Sequence, residues 1–202
     1  MKFSSFELHE LIKAWFVISV AFAIAMSGIS VANFYLVLSP LFLIPVLFAG
    51  LTVGIAFLFH ELAHKFVAQS YGCFAEFRAN NQMLFMALIM SLFGFIFVAP
   101  GGVLIHGSVK RDEFGKISSA GIIANLILGS FFILGLHLIH IAVIQQLLYY
   151  GAYINVWLAL FNLIPFLPFD GAKLLHWSKK AYGVLVVVCL VLLFYLTGFL
   201  GI

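Results

Sequence analysis

The stretch Leu51-Thr52-Val53-Gly54-Ile55-Ala56-Phe57-Leu58-Phe59-His60-Glu61-Leu62-Ala63-His64 decides the fold. Nine residues pass without a charge, and then one acid and two imidazoles fall within five. On an α-helix His60 and His64 lie one turn apart on one face, so both rings can reach a single metal ion. Glu61 between them is placed to act as general base on water at that metal. An ionisable side chain inside or at the edge of a membrane-length apolar helix is costly, and its presence there points to function.

Composition supports a membrane setting for this stretch. Of the 202 residues, 65% are hydrophobic and 8% charged, with a mean hydropathy of +1.21. A soluble domain is about half apolar and about a quarter charged, so this chain has too few charges to cover a water-facing surface. Apolar runs fall at 11–31, 36–71, 83–99, 117–141, 147–167 and 184–200. The second is longer than the roughly 20 residues one span needs. It passes through Pro40 and Pro45, so it is expected to enter as a turn or kinked segment before the helix proper. The expected fold is an all-α polytopic membrane protein of five to six transmembrane helices. A small membrane-associated β-hairpin or re-entrant segment is added to it. We expect a single domain over 1–202, with no PDZ or CBS domain. The opening MKFSSFELHELIKAW carries acids and a His before the first apolar run, unlike a secretory signal. The net charge of +3 is scattered and gives no nucleic-acid footprint. Cys73 and Cys189 form no CxxC pair and read as small apolar side chains.

The ten basic residues are Lys2, Lys13, Lys65, Arg78, Lys110, Arg111, Lys116, Lys173, Lys179 and Lys180. If the 83–99 run does not cross the bilayer, all ten fall at or near one side, and the loops at 32–38 and 142–146 carry none. The positive-inside rule then gives five crossings with the N-terminus in the cytosol. The 83–99 run is accordingly read as re-entrant or interfacial. It is short for a span, and Gly94, Pro100, Gly101 and Gly102 suggest a turn at its end. The stretch Val103-Leu104-Ile105-His106-Gly107-Ser108-Val109 is rich in β-branched residues and reads as one strand of a hairpin.

A catalytic zinc ion usually takes three protein ligands and a water. The metzincin spacing requires Gly at 67 and His at 70, where this chain has Val67 and Ser70. Acids are few: Glu7, Glu10, Glu61, Glu76, Asp112, Glu113 and Asp170. Asp170 is the best third ligand. It ends the apolar segment Asn162-Leu163-Ile164-Pro165-Phe166-Leu167-Pro168-Phe169-Asp170-Gly171, on the same side as HELAH in the five-crossing topology. Lys173, three residues on, offers Asp170 an ordinary ion-pair partner as well.

HELAH in an early span together with NLIPFLPFDG in a later one resembles the site-2 protease family of intramembrane zinc metalloproteases. Ala120-Gly121-Ile122-Ile123-Ala124-Asn125 is similar to that family's Ala-Gly-Pro-x-x-Asn motif, with Ile122 where Pro is usual. Pro100-Gly101-Gly102-Val103 looks like the turn of its membrane-associated hairpin. The resemblance runs from about residue 50 to 173. It implies one Zn2+ per chain, bound by His60, His64 and Asp170, with Glu61 activating water and carrying its proton to the leaving amine. It implies Asn125 and Asn162 as substrate or oxyanion contacts, and a hairpin through Val103 and Ile105 that pairs with an unwound substrate. The expected partners are a transmembrane protein substrate and the lipid bilayer, in what reads as a prokaryotic cell membrane with the site toward the cytosol. The rival reading is a non-catalytic membrane zinc-binding protein, either a carrier or an inactive protease relative. His137 and His140 read as packing or interfacial residues, and His106 as a hairpin residue that can lie near the site.

Overall fold

The computed structural model describes residues 3–96 and 100–199; residues 97–99, the end of the third apolar run, lie outside them. Helix α1 (Ser5–Met26) starts six residues before the apolar run does. Ser4 caps it, accepting a hydrogen bond from the Glu7 amide at 3.0 Å. Glu7 and Glu10 are buried. They accept from the backbone amides of Phe77 (2.9 Å) and Ala79 (3.1 Å). The helix extends into polar sequence because its carboxylates have backbone donors to satisfy.

The kinked entry expected of the second run is present. Two 3-10 segments, Val31–Leu38 and Pro40–Phe42, lead into α2 (Leu43–Ala49), a π turn (Gly50–Gly54) and α3 (Ile55–Ser70). Pro40 sits in the opening turn of its segment. Pro45 falls in the first turn of α2, where no intrahelical donor is required. The π turn has an identifiable cause. Trp15 Nε1 donates to the Gly50 carbonyl at 3.1 Å. Its indole comes within 3.0 Å of where a Cβ on Gly50 would lie, and 2.5 Å for Gly54.

Strands β1 (Phe74–Ala79) and β2 (Gly101–His106) form a two-stranded sheet. Gly101 approaches Ala79 while His106 packs on Phe74, so the pair is antiparallel. The strand expected at 103–109 is present at Gly101–His106, ending three residues early, and its partner is not reached by a tight hairpin turn. Helix α4 (Asn81–Ser91) intervenes. At 11 residues it rises about 16 Å, roughly half a bilayer core. By itself this helix is too short to cross. β1 escaped the sequence reading because Glu76 and Arg78 break its apolar pattern. In the fold Ser4 Oγ donates to Glu76, Arg78 pairs with Glu76 at 2.6 Å, and the Arg78 guanidinium lies 4.5 Å from the Phe6 ring centroid.

Four helices follow: α5 (Arg111–Leu138), α6 (Ala142–Asn162), α7 (Asp170–Trp177) and α8 (Lys179–Phe199). Helix α6 lies five residues N-terminal to the 147–167 run. Pro165 and Pro168 forbid continuation past Leu163 and Ile164.

Among the described residues, four segments are long and apolar enough to cross a membrane: Ser5–Met26, Pro40–Ser70, Arg111–Leu138 and Lys179–Gly198. Helix α6 has 21 residues but carries Gln145, Gln146, Asn155 and Asn162. Exposed Val184, Val187, Val191 and Phe194 on α8 present the kind of surface that faces lipid.

The chain divides into two compact units, Met1–Leu58 with Glu76–Leu104, and Phe59–Ala75 with Ile105–Ile202. Each draws on two separate stretches of chain. The first is centred on Ala23, Ile24, Ile29, Phe42 and Ala49. The second has one core around Ile122, Leu126, Ala159, Leu163, Leu174 and Cys189, and another around Leu136, Ala152, Val156 and Leu196.

Candidate metal centre

All the side chains of the candidate site belong to the second unit. α3 supplies His60, Glu61 and His64, each buried. α5 crosses them at Gly121. A Cβ there would lie 2.4 Å from His64 Nε2 and 2.6 Å from His60 Nε2. Only a glycine lets α5 approach the two ring nitrogens so closely. α7 supplies Asp170 at its first residue. Gly171 is equally constrained, since a Cβ would come within 2.2 Å of the Leu163 carbonyl oxygen.

The proton positions on the two imidazoles follow from their partners. His64 Nδ1 lies 2.7 Å from the Ile117 carbonyl oxygen. A carbonyl can only accept, so Nδ1 carries a proton, and in the neutral ring that a metal binds Nε2 carries the lone pair. His60 Nδ1 lies 2.6 Å from Asn125 Oδ1, which has the same consequence. The atoms that face one another are then acceptors. His60 Nε2 and His64 Nε2 stand 3.0 Å apart. Asp170 Oδ2 lies 3.3 Å from the first and 2.9 Å from the second. Lys173 Nζ takes the other Asp170 oxygen at 3.1 Å, so the ion pair anticipated as an ordinary role coexists with the site. The Lys173 ammonium beside it favours the Asp170 carboxylate anion, which leaves Oδ2 as an acceptor.

Three convergent acceptors repel unless a cation lies among them. Zinc held at about 2.0–2.1 Å in tetrahedral geometry has ligand atoms about 3.3 Å apart, close to the separations here. The donor set fits zinc, and these residues form the only cluster of its kind among the described residues.

Of the other residues anticipated from sequence, Asn125 is fully buried against His60. Asn162 is not brought to the cluster in the same way: its Nδ2 donates to the Leu158 carbonyl of its own helix at 2.9 Å. The amide that faces Asn125 is Asn155, two turns earlier on α6 and fully buried. Sequence reasoning missed it, although an amide in an apolar helix was itself a signal. Val103 and Ile105 lie half-buried on one face of β2, with Leu104 and His106 exposed on the other. His137 bonds the Tyr195 hydroxyl at 2.6 Å, and His140 pairs with Gln145 at 3.3 Å.

A HELAH helix with a buried aspartate facing both rings has the donor set of a metallopeptidase metal centre. Comparison with known proteins agrees: the chain belongs to a family of zinc metalloproteases. It is 40% identical over 137 residues to "Putative zinc metalloprotease MJ0611" of Methanocaldococcus jannaschii, covering 66% of this chain and 72% of that protein. It is 28% identical over 169 residues to "Zinc metalloprotease MJ0392" of the same organism, covering 82% of this chain and 42% of that longer protein. No family model and no solved structure matches the chain.

Proposed function

We propose that this chain is an intramembrane zinc metalloendopeptidase of the site-2 protease kind. It would hydrolyse a peptide bond within or near the transmembrane segment of a membrane-protein substrate. One observation carries the reading. Buried acceptors of His60, His64 and Asp170 converge beside a buried Glu61, at the end of the apolar Pro40–Ser70 segment. Family membership supports the peptidase chemistry.

Zinc at this cluster supplies a Lewis acid that makes water nucleophilic near neutral pH. Glu61 takes the proton of the attacking water and delivers it to the leaving amine nitrogen. Both ends of the Asn125 amide are engaged, by His60 and Asn155. Its oxygen holds His60, and its NH2 group has a second N–H beyond the one given to Asn155. Asn125 and Asn162 both remain candidates for substrate or oxyanion contact.

β2, with Val103 and Ile105, is the edge that would pair with an unwound substrate strand. The Asn80 amide at the end of β1 points toward β2, donating to Pro100. By alternation the Phe77 and Ala79 amides point the other way, into the Glu7 and Glu10 carboxylates. That occupation of the far edge of β1 leaves β2 for the substrate.

In this reading α6 is a fifth crossing. The N-terminus and the site face the cytosol of a prokaryotic cell.

The test is cleavage of a labelled single-span substrate by the full chain in proteoliposomes. Glu61→Gln should keep zinc bound and lower the rate by about 100-fold or more. Cleavage at the wild-type rate overturns the assignment. Zinc flux without cleavage by the unmodified chain would favour a carrier.

A further inference from the structure

The amide of Asn125 could in principle present either end to His60. An oxygen would fix the ring with its proton on Nδ1 and its lone pair on Nε2. An NH2 would require the opposite, placing a proton on the nitrogen that faces His64 and Asp170. What selects the first arrangement lies outside the motifs. Asn155 Nδ2 donates to the Gly151 carbonyl at 2.8 Å. That carbonyl can only accept, so the Asn155 amide has one orientation and its Oδ1 faces Asn125. Asn125 must then donate Nδ2 to it, at 3.1 Å, and turn Oδ1 to His60. Both asparagines are fully buried, so water does not compete for these bonds.

The helices approach closely enough for this because Gly151 lies against the Phe132 ring, where a Cβ would come within 2.6 Å. Gly129 also lies near α6, with 3.3 Å from its notional Cβ to Asn155 Cβ.

We propose that Asn155 is a positioning residue for the metal site. Through Asn125 it transmits the polarity of the Gly151 carbonyl to His60 and holds that ring in the tautomer that offers Nε2. The inference rests on the zinc reading above, but its tests do not depend on proteolysis. Bonds of this kind to a ligating histidine typically change metal affinity by about 10- to 100-fold.

The measurements use the full chain in detergent. For the neutral ring in metal-free protein, 15N spectra of labelled histidine should place the His60 proton on Nδ1. The Nε2-protonated form there overturns the proposal whatever any variant does. Zinc affinity is read by chelator competition. Asn155→Leu should weaken it by about 10- to 100-fold and move His60 to the other tautomer. Adding Asn125→Asp should restore it, because a carboxylate accepts from His60 Nδ1 whichever way it turns. Unchanged affinity in Asn155→Leu overturns the proposal. A loss that Asn125→Asp does not restore also overturns it, since the effect would then lie in helix packing. Failure of the unmodified chain to bind zinc would instead contradict the proposed function itself.

Discussion

Gly121 is the residue at which α5 bears most closely on the two rings of the metal centre. A methyl group there would lie 2.4 Å from His64 Nε2 and 2.6 Å from His60 Nε2, closer than any ordinary contact. Gly121→Ala should therefore lower zinc affinity by about 10-fold or more, comparable to disturbing a ligand's supporting bond. Titration against a fluorescent zinc chelator reads this directly, and an unchanged affinity would show that α5 can shift without disturbing the rings. The sequence made HELAH legible because helical spacing alone brings its two rings together. Asp170 was legible as a lone acid closing an apolar segment. Asn155 and the steric role of Gly121 were not, because both depend on where α5 lies against α3 and α6. No local pattern encodes that packing.

Among the elements, the first helix and the sheet depend on one another. Glu7 accepts from the Phe77 amide, and Glu10 from the Ala79 amide, at positions where a third strand would otherwise bond. Glu10 is also paired with Lys13. Removing a buried acceptor orphans its donor, at a cost of about 1–3 kcal/mol. Glu7→Leu should therefore destabilise the chain by about that amount, and Glu7→Gln, which keeps an acceptor, by less. Unfolding in detergent followed by circular dichroism distinguishes them; equal stability of the Leu variant would mean that the bond contributes nothing. The apolar runs located the long helices to within several residues. They missed the polar start of α1, because the hydrogen bonds that draw it inward come from β1, some seventy residues away. β1 itself was hidden by Glu76 and Arg78, whose partners Ser4 and Phe6 are the cap and a first-turn residue of α1.

At the scale of the whole molecule, the account requires the basic residues to share one side of the membrane. An impermeant maleimide added outside intact cells should label Gln146→Cys and leave His176→Cys unlabelled; the reverse pattern would contradict the five-crossing topology. Both positions are exposed, and the native Cys73 and Cys189 are buried. The same topology lets α3 and α7 meet, bringing together ligands 110 residues apart in sequence. The most direct test of that meeting is the zinc content of the purified chain compared with its Asp170→Ala variant. The account predicts about one zinc per chain in the first, as a three-ligand site requires, and little above background in the second. Equal zinc in both proteins would contradict it.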